Sequence, residues 1–291
     1  MRRIKRVAGL RKIWRVIAIF ILLFSLARSY AKADENSVAG RKILEQYQNG
    51  VVSLKTVAKV RMTAGGKEQY NKEIEAVSTA TVINPSGLAV TSAAMVNPGE
   101  VLEKIMKNFL AKSGGENVDI TFNVELLNAS VIMPDGKEVP VKVVLRDKDL
   151  DLAFLRPTKK LGASVFALDL SQSGSVNTLD PVVIINLLPK EYYGRKPTAI
   201  LDRVKSVVEK PRKFYLPGNQ RDNPVGTPVF NLDGKILGIT VVQIPNTSPV
   251  MSAPDMISGS LDTPEGAGLT VIIPAADILE LTKQIPDAEA K

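Results

Sequence analysis

The sequence has no histidine and no cysteine among its 291 residues. Without histidine, the commonest general base near neutral pH is missing, and so is the commonest nitrogen ligand for metals. Without cysteine there is neither a disulfide nor a lipid-modified thiol. Only a hard, oxygen-liganded cation remains conceivable. The alternating acids Asp147, Asp149 and Asp151 lack the glycine and the distal glutamate of a calcium loop, so they read as a charged turn. The expectation is no cofactor and no metal.

Acidic residues are missing from the first 33 positions, which hold nine Lys and Arg: Arg2, Arg3, Lys5, Arg6, Arg11, Lys12, Arg15, Arg28 and Lys32. Of the 38 basic residues in the chain, the remaining 29 face 30 acidic ones. The net charge of +8 therefore belongs to the leader, and the folded part gives no reason to expect a nucleic-acid partner. The apolar run Val16 to Ala27 is shorter than the ~20 residues that span a bilayer comfortably. Ala31-Lys32-Ala33 is a small-x-small site after a basic and then an apolar region. This predicts a signal peptide over 1–33, cleaved before Asp34, and an exported protein, periplasmic or extracellular, with an uncleaved amphipathic anchor as the alternative. An exported chain without disulfides relies on its hydrophobic core.

Beyond the leader, Asn36 to Gly50 has helical spacing, with Val38, Ile43, Leu44 and Tyr47 on one face. Val51 to Met62 alternates as a strand. Gly65-Gly66 and the charged run Lys67 to Glu75 read as a solvated hairpin tip. Two β-rich runs flank Asn84-Pro85-Ser86-Gly87, a turn signal. Val101, Leu102, Ile105, Met106, Phe109 and Leu110 recur at helical spacing, so an amphipathic helix is expected at about 99–112, its apolar stripe toward the core. Ile120 to Leu127, Ala129 to Met133 and Val139 to Leu145 read as three strands. Leu152 to Leu155 reads as a strand buried on both sides. Val165 to Leu170, Pro181 to Leu187, Ala199 to Val208, the pair flanking Asn231 to Gly234, and Gly268 to Ile273 supply six more. A helix over Ala275 to Gln284 closes the chain. Residues 244–267 are rich in Pro, Ser and Thr and read as a loop over a cleft.

Three stretches carry chemistry. Asn223-Pro224-Val225-Gly226-Thr227-Pro228 is a tight loop leading into a hairpin. Thr91-Ser92-Ala93-Ala94-Met95-Val96 ends the earlier hairpin. Asp151-Leu152-Ala153-Phe154-Leu155 opens the doubly buried strand. Together they resemble the trypsin-like serine proteases of the HtrA/Deg type. Those carry Gly-Asn-Ser-Gly-Gly-Pro, Thr-x-Ala-His-Val-Val and Asp-Leu-Ala-Leu-Leu in this setting. The resemblance covers roughly residues 38–285 and implies an all-β fold of two six-stranded antiparallel barrels with peripheral helices. It divides the chain into the leader 1–33, a first barrel over 34–160 and a second over 161–291, with no PDZ module expected.

The resemblance also places the degenerate triad positions. The base falls on Ala94, its orienting carboxylate on Asp151, and the nucleophile on Val225. Alanine cannot take a proton and valine cannot attack, so no catalytic residue is expected. The oxyanion donors would be the N–H groups of Asn223 and Val225. Pro224 restricts the backbone between them, and Thr227 stands where the family has glycine, after Gly226. Asp151 is either an exposed strand-end carboxylate or a half-buried one hydrogen-bonded to Ser92 or to backbone N–H groups. Ser92 and Thr227 are the nearest substitute nucleophiles. The expected function is an inactive pseudoprotease binding a peptide or protein partner, such as an active protease relative. A residual serine-type hydrolase is the alternative.

Overall fold

The computed structural model describes residues 35–99, 101–104, 119–162, 165–188, 194–219, 224–243 and 269–286. The leader, most of the 99–112 helix, and the 244–267 segment lie outside them. Residues 99 and 101–104 are helical.

A helix over residues 35–47 (α1) ends in a single 3-10 turn, Gln48–Gly50. Six strands follow: β1 (Val51–Ala64), β2 (Lys67–Val82), β3 (Ala89–Ser92), β4 (Ile120–Ile132), β5 (Glu138–Asp147) and β6 (Leu152–Pro157). They close into an antiparallel barrel in the order β1-β2-β3-β6-β5-β4. Strands β7 (Pro181–Leu187), β8 (Pro197–Val208), β9 (Phe214–Pro217), β10 (Pro228–Asn231), β11 (Ile236–Gln243) and β12 (Leu269–Pro274) close the second, in the order β10-β11-β12-β9-β8-β7. Helix α2 (Ala275–Thr282) follows. The all-β, double-barrel architecture is the one the sequence implies.

Strand alternation explains why the barrels share a core. Val52, Ala153 and Leu155 fill the first barrel, while their neighbours Val51, Leu152 and Phe154 face the junction. In the second barrel Val182 and Ile184 point inward, and Val183 and Ile185 join the same junction. Successive side chains leave a strand on opposite faces, so a strand buried on both becomes a continuous apolar run. Although α1 precedes the first barrel, it packs on the second. The Tyr47 ring stacks on Phe230 with centroids 4.5 Å apart, and its hydroxyl donates to the Gly234 carbonyl at 3.0 Å.

The structure corrects three readings. The charged run Lys67 to Glu75 is not a hairpin tip: it is the first part of β2, and Gly65-Gly66 alone make the turn. Its side chains are mostly polar and exposed, Ile74 being the aliphatic exception, but its backbone pairs with β1, which β4 holds from the other side. Ile120 to Ile132 is one strand instead of two. Val57 pairs with Asn128 and Ala58 with Leu126, so Leu127 is an extra residue at a bulge. Val165 to Leu170 is not a strand of the second barrel. It buries Leu168 and Leu170 alternately, yet it crosses the junction as an irregular segment, and the Leu168 N–H donates to Val82 at 2.9 Å. The sixth strand is β9, whose Tyr215 pairs with Ile272. Its four residues sit among Lys, Arg and Pro, which masks the pattern.

Candidate active site

Asp151 sits on the tight turn between β5 and β6 with φ of 53°, a left-handed conformation that aspartate tolerates better than most side chains. The Asp147 carboxylate helps form this turn by accepting the Leu150 N–H at 2.8 Å. The turn aims the Asp151 carboxylate at the end of β3, where the chain enters a 3-10 turn, Ala93–Met95. Its Oδ1 accepts the Ala94 N–H at 3.0 Å. Its Oδ2 accepts the Ser92 hydroxyl, and also the Val242 N–H at 3.2 Å from β11. The backbone follows suit, for the Ala93 N–H donates to the Asp151 carbonyl at 2.8 Å. Of the two placements open from sequence, the half-buried one holds. Burial pushes the Asp151 carboxyl up from 3.8 to about 6, against the opposing effects of the Ser92, Val242 and Ala94 hydrogen bonds and the Arg146 charge.

The Pro224 to Pro228 loop reaches the same place from the second barrel. Gly226 has φ of 80°. A Cβ there would lie 2.2 Å from the Thr79 carbonyl oxygen and 2.5 Å from Thr91 Oγ1, so glycine is required twice over. The Gly226 N–H donates to the Thr240 carbonyl at 2.7 Å, and its own carbonyl accepts the Thr81 hydroxyl at 3.0 Å. Thr91, in turn, donates to the Thr79 carbonyl at 2.8 Å. Farther along, the Thr79 hydroxyl donates to Asn186 Oδ1 at 2.9 Å. The seam between the barrels is thus lined by hydroxyls: those of Thr81 and Thr91 satisfy backbone carbonyls, and that of Thr79 reaches the Asn186 side chain of the facing barrel.

Thr227 is fully buried. Its N–H donates to Thr240 Oγ1 at 3.0 Å, and the two hydroxyls lie 2.8 Å apart. The Thr240 hydroxyl reaches the Pro224 carbonyl at 2.8 Å. The threonine therefore pins the Pro224 peptide inward. Val225 is half-buried, and Asn223 lies outside the described residues. Ser92 is as inaccessible as Thr227 and is spent on Asp151. Among the described residues no cluster of three or more His, Cys, Asp or Glu is placed to hold a metal ion.

The structure brings Ser92, Ala94, Asp151, Gly226 and Thr227 to one end of the seam. Sequence reasoning missed Thr240 and Val242. Thr240 carried a signal, as the one polar residue between Ile236 and Val242 in a strand otherwise apolar or glycine. Val242 acts through its backbone, which no side-chain pattern reveals.

A profile of the trypsin-like peptidase domain matches residues 78–239, more than half of the chain, from the end of β2 to β11. The chain belongs to the trypsin-like peptidase family. No curated protein matches it. The match spans Ala94, Asp151 and Val225, so all three lie within the peptidase-like part of the chain.

Proposed function

We propose that this trypsin-like domain is an exported pseudoprotease of the HtrA/Deg type that binds a peptide or protein instead of cutting it. It would act as a regulatory or scaffold subunit, for example beside an active protease relative. The observation that carries this reading is the Asp151 carboxylate, kept in place while its histidine is absent from the whole sequence. Ser92, Ala94 and Val242 satisfy the carboxylate with neutral donors, and none of the three stands in for the imidazole that would take a nucleophile's proton.

The alternative is a residual serine-type hydrolase, which membership of a peptidase family favours. It would need Ser92 or Thr227 as nucleophile, and both are buried and committed to hydrogen bonds. Ser92 has the Asp151 carboxylate within reach as a base, but neither hydroxyl is open to an approaching substrate. Treating the purified protein with a fluorophosphonate probe separates the two. No labelling is expected under conditions that label an active serine protease fully. Labelling that disappears in Ser92→Ala or Thr227→Val would establish the hydrolase instead.

A further inference from the structure

The first barrel does not use the full length of its strands. β2 meets β3 only at Thr81 and Val82, and β4 meets β5 only from Ser130 to Ile132. Beyond those points β1 still pairs on both sides, with β2 and with β4, as far as Ala64. Residues 57–64, 67–75 and 120–128 thus form a three-stranded sheet standing out from the barrel, with Gly65-Gly66 at its tip.

The register sorts the two faces of this sheet. Leu126, Ala58 and Ile74 stand in one row, Val124, Val60 and Lys72 in the next, and Phe122, Met62 and Tyr70 in the third. These rows continue the side of β1 whose Leu54 fills the barrel. The opposite face carries Lys59, Arg61, Glu73 and Glu125. A sheet that is apolar on one face must bury that face against another element. Val60 is only 6% exposed, although it belongs to none of the three apolar clusters of the barrels. Neighbours in the plane of the sheet do not cover it from above, so a second layer does.

Gly99 marks where the chain comes onto this face. A Cβ there would lie 3.0 Å from Val124 Cγ2 and 3.5 Å from the Phe122 carbonyl oxygen. Residues 101–104 continue as helix, and the Leu102 N–H donates to the Pro98 carbonyl at 2.9 Å. The described residues resume at Asp119, whose carbonyl accepts the Gly65 N–H at 3.1 Å at the tip of the sheet. The chain between them therefore starts over Val124 and ends at the tip. At helical spacing, Leu102, Met106 and Leu110 follow Gly99 on one side, with Ile105 and Phe109 beside them. Lys104, Lys107 and Ala111 fall on the other side.

We propose that residues 105–112 occupy this apolar face as an amphipathic helix, giving the first barrel a two-layered arm with a hydrophobic core of its own. The lengths agree. Eight helical residues rise about 12 Å, and Val124 to Ile120 spans about 13 Å along β4. Residues 113–118, which include Gly114 and Gly115, then turn back to Asp119. The segment is tethered at both ends to the sheet it covers, which favours it over any separate molecule. The exposed β2 edge beside the face carries Lys67, Lys72 and Glu73, charges that oppose pairing with a second copy. The apolar stripe of the insertion is thus consumed within the chain and is not a surface for a partner or a membrane.

The test uses single cysteines in the full-length protein, which has none of its own. Met106→Cys and Leu110→Cys are expected to react with a maleimide about tenfold or more slowly than Lys107→Cys, with the three rates equal in denaturant. Replacing residues 105–112 by eight Gly and Ser residues should raise the reaction rate of Val124→Cys by a similar factor. Stripe cysteines as reactive as Lys107→Cys, or a Val124→Cys rate unchanged by the replacement, would overturn the proposal. Protection that develops only as protein concentration rises would give the face to a second copy and overturn it as well. Should the replacement fail to fold, Met106→Asp in the Val124→Cys background decides: a faster Val124→Cys reaction supports the arm, and an unchanged one removes it.

Discussion

The hydroxyls of Thr227 and Thr240 lie 2.8 Å apart, and both are within reach of the Pro224 carbonyl. This pair fixes the loop that the trypsin-like resemblance identifies with the nucleophile and the oxyanion donors. Thr240→Val keeps the shape of the side chain but removes the acceptor for the Thr227 N–H. A buried polar group left without a partner costs about 1–3 kcal/mol. The variant should lose that much stability in chemical denaturation, with an unchanged denaturant slope.

Gly226→Ala attacks the same loop through its backbone. A left-handed conformation in a non-glycine residue and a clash in a packed site together cost about 2–5 kcal/mol. The nearest obstacle is the Thr79 carbonyl, which belongs to β2 and cannot swing aside as a side-chain tip would. A melting temperature lowered by many degrees, or loss of soluble protein, is the expected result.

Restoring the triad by Ala94→His with Val225→Ser should yield little ester hydrolysis. The new histidine must displace the Ser92 hydroxyl from Asp151, and the Pro224 peptide remains pinned by Thr227 and Thr240. Loss of one oxyanion donor typically costs ~10²–10³ in rate. Adding Pro224→Asn and Thr227→Gly should recover part of that factor. A double variant as fast as the quadruple one would show that the loop already holds a working oxyanion hole.

Asp151 should also leave its mark on overall stability. Its carboxyl is raised to about 6 in the folded protein from an ordinary value of 3.8. The stability this group contributes is therefore complete below about pH 4 and is lost as pH rises through about 6. At 1.36 kcal/mol per pKa unit, the loss is at most about 3 kcal/mol. Unfolding free energies of the wild type and Asp151→Asn, compared from pH 4 to pH 7.5, should converge on this pattern. The wild type loses stability relative to the variant as pH rises.

The strands were legible because runs such as Leu152–Leu155 and Val182–Ile185 are apolar on both faces and turns such as Asn84–Gly87 punctuate the chain; their closure into two barrels came from the family resemblance. The charged half of β2 was not legible. Its pairing is dictated by β1 and β4, and its own residues alternate nothing apolar. Period-2 burial misled at Val165 to Leu170, where alternation arises from lying between two barrels without a ladder. At the site, Ala94, Asp151 and Gly226 were visible as a motif because side-chain identity carries them. The link from Val242 to Asp151 depends on backbone direction and on a partner 91 positions away, so it appears only in the folded chain.

The central claim is that this member of a peptidase family does not cut. Hydrolysis of casein by the purified full-length protein, followed over hours at pH 7.5 beside an active trypsin-like protease, tests it most directly. The expected result is a rate indistinguishable from buffer. Turnover that co-purifies with the protein and is abolished by Ser92→Ala, Thr227→Val or Asp151→Asn would contradict it.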